Sequence, residues 1–589
     1  MGFLSRLRRD VRGNTLAIVA ASMVPLIALA GGGIDVSRMY LAKVRLQHAC
    51  DAGALAGRKA MGAGTWAQTN PDPNAIAQQF FDGNFKSGAY GTTNISRTYS
   101  ENSGDVSGTA SVIVPMTMMK FFGMPSRTMT VACDAQMQLP NTDVMFVLDT
   151  TGSMASPANA GDTISKIDGL KNAVKCFYEA VAQLKTDGTC TTSTSGNGVN
   201  SSSQIRFGFV PYTTNVNVGK LLPTSYFANN WSYQSREPTN TSSWGSWQDT
   251  GINCNSIPAN TSTTQYQTVL KGNGTCKSVQ MRTFGMNWHY GLISFDISGL
   301  KNGSSWNSSV NLALGANGAN IPISWDGCIE ERKTIQINGT PSLTVNSQNQ
   351  IIAPNGQKMN DLDIDMVPTQ SDSTSLWAPA LVNAIQTRNG ASWSMPDSTS
   401  PDDYGNGSSY SCPASAQKLQ TWSNAAAFDT YVDSLSPGGN TYHDIGLLWG
   451  ATLMSPTGIF ASENAKTPQG GQIQRHMIFM TDGDTQTSMS NYTAYGVNWF
   501  DQRETPTANN DLDTQTNARF AALCTATKNK GITLWVVSFG GSGILSTTKA
   551  RLQTCATDAN HYFDATSSAS LNQAFQLIAA QITQLRLTK

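Results

Sequence analysis

Charged residues are scarce in this chain, and neither sign is in excess. The chain has 39 basic residues (lysine and arginine) and 39 acidic residues (aspartate and glutamate). Together they make up only 13% of the 589 residues. A nucleic-acid partner would require a basic surface, so none is expected. The sequence also lacks a GxxxxGK[ST] phosphate loop. With no CxxC pair and only five histidines, none at ligand-like spacing, a structural zinc site is not expected.

The N-terminus contains one long uncharged stretch, residues 13–34. About 20 apolar residues suffice for a helix that spans a bilayer. Arginines precede the stretch, and the positive-inside rule then predicts a cytoplasmic stub (residues 1–12) followed by a single-pass anchor (residues 13–34). A cleaved secretory signal is the alternative, because "ALAG" at residues 28–31 offers a cleavage site. In both cases the rest of the chain is exported.

An amphipathic helix is predicted after the anchor, over residues 35–65, with Val36, Tyr40 and Val44 on one face. Alternating apolar runs then predict a small β-rich region over residues 66–140, packed on that helix.

The motif "RGN" before the apolar stretch and "GGGIDVSRMYLAKVRLQHACDAGALAG" after it resemble the N-terminal region of Tad pilus-assembly proteins of the TadE/TadG type. The resemblance implies a pilin-like helix. Prepilins of that system are cut after a glycine and carry glutamate at the fifth position beyond it. Here Ile18 holds that position after Gly13, so we expect an anchored component rather than a polymerising pilin.

A second structural unit begins with an apolar run at residues 144–148, typical of a strand buried on both faces. Further strands are predicted at residues 204–212, 475–484, 531–540 and 561–565, and helices at 165–184, 514–530 and 570–587. This alternation predicts an α/β fold with a doubly wound, mostly parallel sheet. Its two parts, residues 141–218 and 422–589, flank an insertion at residues 219–421.

Polar side chains follow the predicted strands at the sheet edge where such folds bind ligands. "DTTGSM" supplies Asp149, Thr151 and Ser153, "PGGNTYHDIG" supplies Thr441, and "TDG" supplies Asp482. Hard oxygen ligands of this kind suit Mg²⁺ first, then Mn²⁺ or Ca²⁺, and do not suit zinc. Ser153 as a nucleophile would need a histidine base that no motif supplies, so we expect no enzyme activity.

This set of loops resembles the metal-ion-dependent adhesion site of the von Willebrand factor type A domain. The family pattern D-x-S-x-S falls on Asp149, Thr151 and Ser153, with threonine in place of the first serine. The resemblance implies that Thr151, Ser153 and Thr441 coordinate the cation through hydroxyls, while Asp149 and Asp482 neutralise its charge. A sixth position stays open for a partner's carboxylate. The alternative is the same fold with a site that no longer holds metal.

Gly446 fits the glycine that follows the threonine of this family by five residues. His443 lies close to Thr441 in sequence, and we interpret it as a residue that packs or orients the loop rather than as a ligand.

The insertion is rich in tryptophan, including Trp231, Trp244, Trp247, Trp288, Trp325 and Trp377. These rings favour a core of the insertion itself, with a glycan or protein contact surface as the alternative. "SWDGCIEER" and "SCPAS" within it are similar to segments of TadG-like proteins.

Taken together, the resemblances imply a TadG-like Tad/Flp pilus-assembly protein of the bacterial envelope, with an inner-membrane anchor and a periplasmic or surface-exposed bulk. Its partners would be other pilus-assembly or envelope proteins, held through an acidic residue. The alternative is a surface adhesin that binds host or abiotic surfaces through the insertion.

Ten cysteines in an exported chain predict disulfides. Cys524 and Cys555 flank one predicted strand and can reach the same sheet edge, so we expect them to pair. We also expect Cys328 to pair with Cys412, which would clamp the ends of the insertion. Buried free thiols are the alternative for each pair.

Overall fold

The computed structural model describes residues 13–61, 66–67, 72–102, 105–137, 141–190, 204–260, 264–270, 275–388, 404–405, 409–422, 424–468, 470, 472–506, 511–583 and 585–588. The helices in this part are α1 Gly13–Met61, α2 Pro73–Asn84, α3 Lys166–Ala182, α4 Ala425–Asp433, α5 His443–Met454, α6 Ala461–Asn464, α7 Asn498–Asp501, α8 Leu512–Asn529, α9 Ser546–Cys555 and α10 Ser568–Ile582.

The strands of four residues or more are β1 Thr93–Asn102, β2 Asp105–Pro115, β3 Ser126–Met137, β4 Thr142–Asp149, β5 Ile205–Tyr212, β6 Asn230–Trp244, β7 Thr264–Leu270, β8 Cys276–Asp296, β9 Ser309–Leu312, β10 Ile321–Ser324, β11 Gln417–Gln420, β12 Gln474–Thr481, β13 Ile532–Phe539, β14 Tyr562–Ala565 and β15 Leu585–Thr588. Shorter strands are Gln248–Asp249, Lys301–Asn302, Ser305–Trp306, Ile329–Glu330, Thr344–Val345, Ile351–Ile352, Ala378–Pro379, Thr387–Arg388, Tyr404–Gly405, Tyr492–Thr493 and Gly496–Val497.

The N-terminal unit consists of the long helix α1 and a small antiparallel sheet in the order β1–β2–β3–β15. The anchor and the following helix predicted from the sequence are one continuous helix, which the structure describes from Gly13 to Met61. The predicted stub, residues 1–12, lies outside the described residues. The predicted β-rich region also contains a helix that was not predicted, α2.

The face of α1 that packs on this unit is not the predicted one. Val36 and Tyr40 are mostly exposed, whereas Ala42, Leu46 and Ala49 are fully buried. Alanine at two of these three positions allows the sheet and α2 to approach closely, and Leu46 fills the space between them. The helix is therefore amphipathic, as predicted, but its buried face is the one that carries Ala42, Leu46 and Ala49.

The C-terminal end of the chain also differs from the prediction. The helix expected over residues 570–587 ends at Ile582, and Leu585–Thr588 forms β15. This strand pairs antiparallel with β3, with Leu585 opposite Met137. It satisfies the hydrogen-bonding groups along the edge of β3, which the local sequence pattern does not reveal.

The second unit is a mixed α/β body around a six-stranded sheet in the order β11–β5–β4–β12–β13–β14. The neighbours from β5 to β14 are parallel and the edge strand β11 is antiparallel. The strand predictions for β4, β5, β12, β13 and β14 are confirmed. The residues of β11 fall within the predicted insertion, but the structure adds them to the sheet.

Helices cover both faces of this sheet, which is why β4 is buried along its whole length. Phe146 and Leu148 face a core shared with α3, α4 and α10, whereas Met145 and Val147 face a core shared with α5, α8 and α9. Successive residues of a strand point to opposite faces, so a continuous apolar run is what two covered faces require.

The insertion packs on the α5 and α8 side, and its core is continuous with that of the sheet. A long antiparallel pair, β6 and β8, forms its main framework. Trp288 and Trp377 are fully buried, and the Trp377 ring lies 5.2 Å from that of Trp449 on α5. The buried carboxylate of Glu331 accepts hydrogen bonds from both Trp377 and Trp449, at 2.8 and 2.7 Å. Tryptophan therefore serves mainly as core here.

All ten cysteines form disulfides, and both predicted pairs are confirmed. Cys524 and Cys555 join α8 to the end of α9 with a Cα–Cα distance of 5.0 Å, and Cys328 joins Cys412 at 5.9 Å. The remaining bridges are Cys50–Cys133, Cys176–Cys190 and Cys254–Cys276.

Candidate functional site

The candidate site lies between β4 and β12, the central neighbours of the sheet. From β4 the chain proceeds to β5 on one side, and from β12 it proceeds to β13 and β14 on the other. A parallel sheet forms a crevice where its strand order reverses in this way, at the carboxyl ends of the strands. Asp149 ends β4 and Asp482 directly follows β12, so both acids stand at this crevice.

Asp149 is fully buried, and hydrogen bonds fix its carboxylate, the longest of them from the Tyr212 hydroxyl to Oδ2 at 3.5 Å. Its Oδ1 accepts from the backbone N–H of Thr151 at 2.9 Å, which closes the tight turn after β4. Its Oδ2 accepts from the hydroxyl of Thr481 at 2.8 Å. The carboxylate is thus held at the bottom of the crevice by the turn on one side and by the neighbouring strand on the other.

Hydroxyl groups connect this turn to the second acid. Ser153 Oγ donates to Asp482 Oδ1 at 2.8 Å, and the hydroxyls of Thr151 and Ser153 are 3.0 Å apart. Four of the five predicted site residues are therefore linked in one group: Asp149, Thr151, Ser153 and Asp482.

The loop with the fifth residue, Thr441, lies against the same turn. The N–H of Gly152 donates to the carbonyl of Gly439 at 3.0 Å, and that of Gly438 donates to the carbonyl of Thr150 at 2.9 Å. Thr441 itself is buried and exchanges two backbone hydrogen bonds with Gln486, each 3.1 Å long. The three predicted loops thus meet at one point.

Gly446 has a clear packing reason. A Cβ atom at this position would lie 2.5 Å from the ring of Tyr212, so a side chain would push α5 away from β5. Because α5 begins at His443, directly after the threonine loop, this contact fixes the position of the loop.

His443 lies behind the group rather than within it. Its Nε2 is 2.9 Å from the hydroxyl of Thr481, and its Nδ1 is 3.1 Å from that of Thr485. Burial lowers the pKa of His443 to about 3, with a smaller contribution from Arg551, so the ring is neutral near pH 7. It orients Thr481, which in turn donates to Asp149, in agreement with its interpretation as an orienting residue.

The two buried carboxylates, Asp149 and Asp482, repel each other, and a cation between them would reduce this repulsion. Burial, and secondly the charge of Asp482, raise the pKa of Asp149 to about 7. The Nζ of Lys166, at the start of α3, forms an ion pair with Asp482 Oδ2 at 2.6 Å. A donor set of carboxylates and hydroxyls fits a hard divalent cation, and the charge of such a cation would favour the ionised form of Asp149.

Lys166 and Thr481 also contact the acids of the site, although neither was predicted from the sequence. Thr481 precedes Asp482 in the "TDG" motif, so its position next to the acids could have been predicted from the sequence. Lys166 lies in a helix 13 positions after Ser153, since 166 − 153 = 13, and no local pattern connects it with the acids.

A second group of potential ligands, among the residues that the structure describes, is Asp326 with Cys328 and Cys412. Its two sulfur atoms are bonded to each other in a disulfide and offer no thiolate. It is therefore not a metal site.

Comparison with solved structures finds proteins of low similarity. The pilus adhesin SpaC of Lactobacillus rhamnosus GG is 11% identical with a TM-score of 0.29, and the match covers 83% of this chain and 34% of the adhesin. The PilB minor pilin of Streptococcus sanguinis is 10% identical with a TM-score of 0.28, covering 83% of this chain and 77% of the pilin. At these scores neither match defines the fold or the function, and this chain spans only a third of SpaC.

No curated protein matches the chain. Among protein families, the model described as Tad, Flp pilus-assembly TadE/G-like, matches residues 13–68. The resemblance read from the N-terminal motifs is thereby confirmed for this segment, which consists of α1 and the residues directly after it.

Proposed function

We propose that this chain is an envelope-anchored, non-enzymatic binding protein that takes part in Tad/Flp pilus assembly or anchoring. Its α/β body is a von Willebrand factor type A domain, and it holds a partner's carboxylate through a divalent cation at the crevice between β4 and β12. The observation that carries the proposal is the hydrogen bond from Ser153 to Asp482, which joins the turn after one strand to the acid after the next.

The sheet topology supports the type A assignment. A mostly parallel sheet with an antiparallel edge strand, helices on both faces and a strand-order reversal at the acids is what such a domain requires. In this site Thr151, Ser153 and Thr441 would contribute hydroxyl ligands, and Asp149 and Asp482 would balance the charge. When bound, Mg²⁺ would supply a Lewis-acidic position for a carboxylate of the partner, with Mn²⁺ or Ca²⁺ as substitutes.

The N-terminal helix supports anchoring. In the described part of the chain, α1 is one helix that is long and apolar enough, by length and composition, to cross a membrane. The side chains of Ile18, Leu26 and Leu29 are exposed, as lipid-facing residues are. With arginines before the helix, the body lies outside the cytoplasm.

Metal dependence is tested with the full chain in detergent. We expect Asp149→Ala to abolish Mg²⁺ binding in calorimetry without loss of the fold, because the residue lies at a strand end rather than in the middle of the sheet. The matched control is Asp484→Ala, in the same loop as Asp482, whose carboxylate accepts from the N–H of Leu545 at 3.2 Å. Unchanged Mg²⁺ affinity in Asp149→Ala would refute the site.

Holding the metal should also stabilise the fold, by about 2.7 kcal/mol at a hundredfold excess over Kd. EDTA should therefore lower the melting temperature of the wild type but not that of Asp149→Ala. A melting temperature that does not respond to EDTA would count against a metal-holding site.

The partner is sought by pull-down from envelope extract with the full chain, with and without EDTA. We expect an envelope protein that is retained only when the metal is present. In cells, a deletion that removes the pilus fibres supports the assembly role. Normal fibres with lost attachment would instead favour a surface adhesin acting through the insertion.

A further inference from the structure

The turn between β2 and β3, residues 116–125, exposes several large apolar side chains. We call it the hairpin tip. Phe121 is 77% exposed, and Phe122 and Met124 are each 43% exposed. Large apolar side chains that are exposed close together form an apolar patch, and such a patch is typical of an interaction surface because its contact with water is unfavourable.

The hairpin tip is fixed to α1 by one buried carboxylate. Asp35 accepts hydrogen bonds from three successive backbone N–H groups, those of Thr117, Met118 and Met119, at 2.8 to 2.9 Å. Arg38, one turn further along α1, donates to the carbonyl of Pro115 at 3.2 Å. These bonds hold the tip at a defined height along the helix.

That height coincides with the end of the uncharged stretch, where Asp35 is the first charged residue after Gly13. The tip also reaches a turn closer to the membrane segment, because a Cβ atom on Gly31 would lie only 2.5 Å from the Cβ of Met118. A Cβ atom on Gly32 would lie 3.6 Å from the sulfur of Met119, in ordinary van der Waals contact. The tip therefore stands at the level where α1 leaves the bilayer.

We propose that the hairpin tip is a second membrane contact, which inserts Phe121, Phe122 and Met124 into the interfacial layer of the bilayer that holds α1. This inference rests on the anchoring in the proposed function. Phenylalanine next to basic residues is typical of segments whose apolar face is buried at the headgroup boundary of a bilayer, and a lysine can extend its ammonium group from there to the lipid phosphates. The tip has a lysine in this position, because the Nζ of Lys120 lies 5.3 Å from the centre of the Phe121 ring.

A second membrane contact would restrict the orientation of the exported body. A single helix leaves the exported body free to rotate about the helix axis and to tilt. A tip that lies to one side of α1 and is bonded to it gives the body one preferred face toward the membrane.

The test uses the full chain in vesicles of phosphatidylcholine and phosphatidylglycerol, with one spin label per variant. Since all ten native cysteines are in disulfides, a single new thiol can be labelled selectively. The variants are Phe121→Cys on the tip, Ile27→Cys in the anchor and Leu545→Cys on the body. Ile27 and Leu545 are 54% and 62% exposed, so the label is accessible at both.

We expect the labels at positions 121 and 27 to collide more often with oxygen than with a water-soluble nickel chelate, and the label at 545 to show the reverse. A label at 121 that behaves like the one at 545, while the label at 27 reports lipid, overturns this inference and leaves the anchor intact. A label at 121 shielded from both colliders means that protein covers the tip, and also overturns it. If the label at 27 reports water, the anchoring itself fails.

Discussion

Lys166 offers a sharp test of the candidate site, because its ammonium group is paired with Asp482, one of the two acids that would balance the charge of a bound cation. Its Nζ lies 2.6 Å from Asp482 Oδ2, and the two side chains are 12% and 0% exposed. A divalent ion next to Asp482 would repel this ammonium group. Binding of metal must therefore displace the lysine, and the cost of that displacement weakens the affinity.

The size of the effect follows from the ion pair. A hydrogen bond to a charged group contributes about 1.5 to 3 kcal/mol, well below the bare Coulomb energy because burying both charges is costly. Removing the ammonium should thus tighten divalent binding by about 10- to 150-fold, at 1.4 kcal/mol per tenfold change.

The variant is Lys166→Met, which keeps the length of the side chain and removes its charge. Calorimetric titration of the full chain with MgCl₂ gives the Kd, and Lys171→Met on the same helix controls for the change in net charge. We expect a lower Kd only in the first variant, together with a larger loss of thermal stability on addition of EDTA. An unchanged or higher Kd in Lys166→Met would refute the competition between lysine and metal.

Two further predictions concern buried charges away from the site. Arg519→Met should lower the free energy of unfolding in urea by about 3 to 5 kcal/mol, because the buried acids Asp361 and Asp444, at 2.5 and 3.1 Å, lose their cation. Lys549→Met, which breaks a partly exposed pair, should cost at most about 1 kcal/mol, and equal losses would contradict this explanation. Burial, and secondly a neighbouring histidine, lower the pKa of His476 to about 4. The unfolded chain therefore binds the extra proton first, and stability falls as the pH drops from about 6.5 toward 4, by about 2 kcal/mol at pH 5. The variant His476→Gln keeps a hydrogen-bond acceptor for the adjacent tryptophan. Between pH 7.5 and 5, its free energy of unfolding should fall by about 2 kcal/mol less than that of the wild type. Parallel profiles of stability against pH would contradict this explanation.

The elements that the sequence predicted are those with a strong local signal. The run around Phe146 is apolar throughout because both faces of β4 are covered, and this periodicity is visible without a structure. The site loops could be predicted equally well, because Asp149 and Asp482 each stand at the end of such an apolar run. Turn chemistry and strand ends are encoded over a few residues.

The features that the sequence did not reveal depend on contacts between distant parts of the chain. Val36 and Tyr40 have helical spacing, but which face of α1 is buried is decided by the partners, and Ala42 and Leu46 face them instead. Lys166 meets Asp482 across 316 positions, since 482 − 166 = 316, and no local pattern encodes such a pairing. The acids that connect the insertion to α5, such as Glu331, are of the same kind.

The strand β15 changes how the candidate site is connected to the membrane helix. If only the segment between β3 and β4 joined the two units, a load on the body would act on one chain crossing. The pairing of Leu585–Thr588 with β3 adds a second connection through α10. The disulfide Cys50–Cys133 then links β3 to α1, with a Cα–Cα distance of 5.8 Å. Force on a partner at the proposed site would thus have two routes to β3 and a covalent bond from there to α1, as the proposed anchoring role requires.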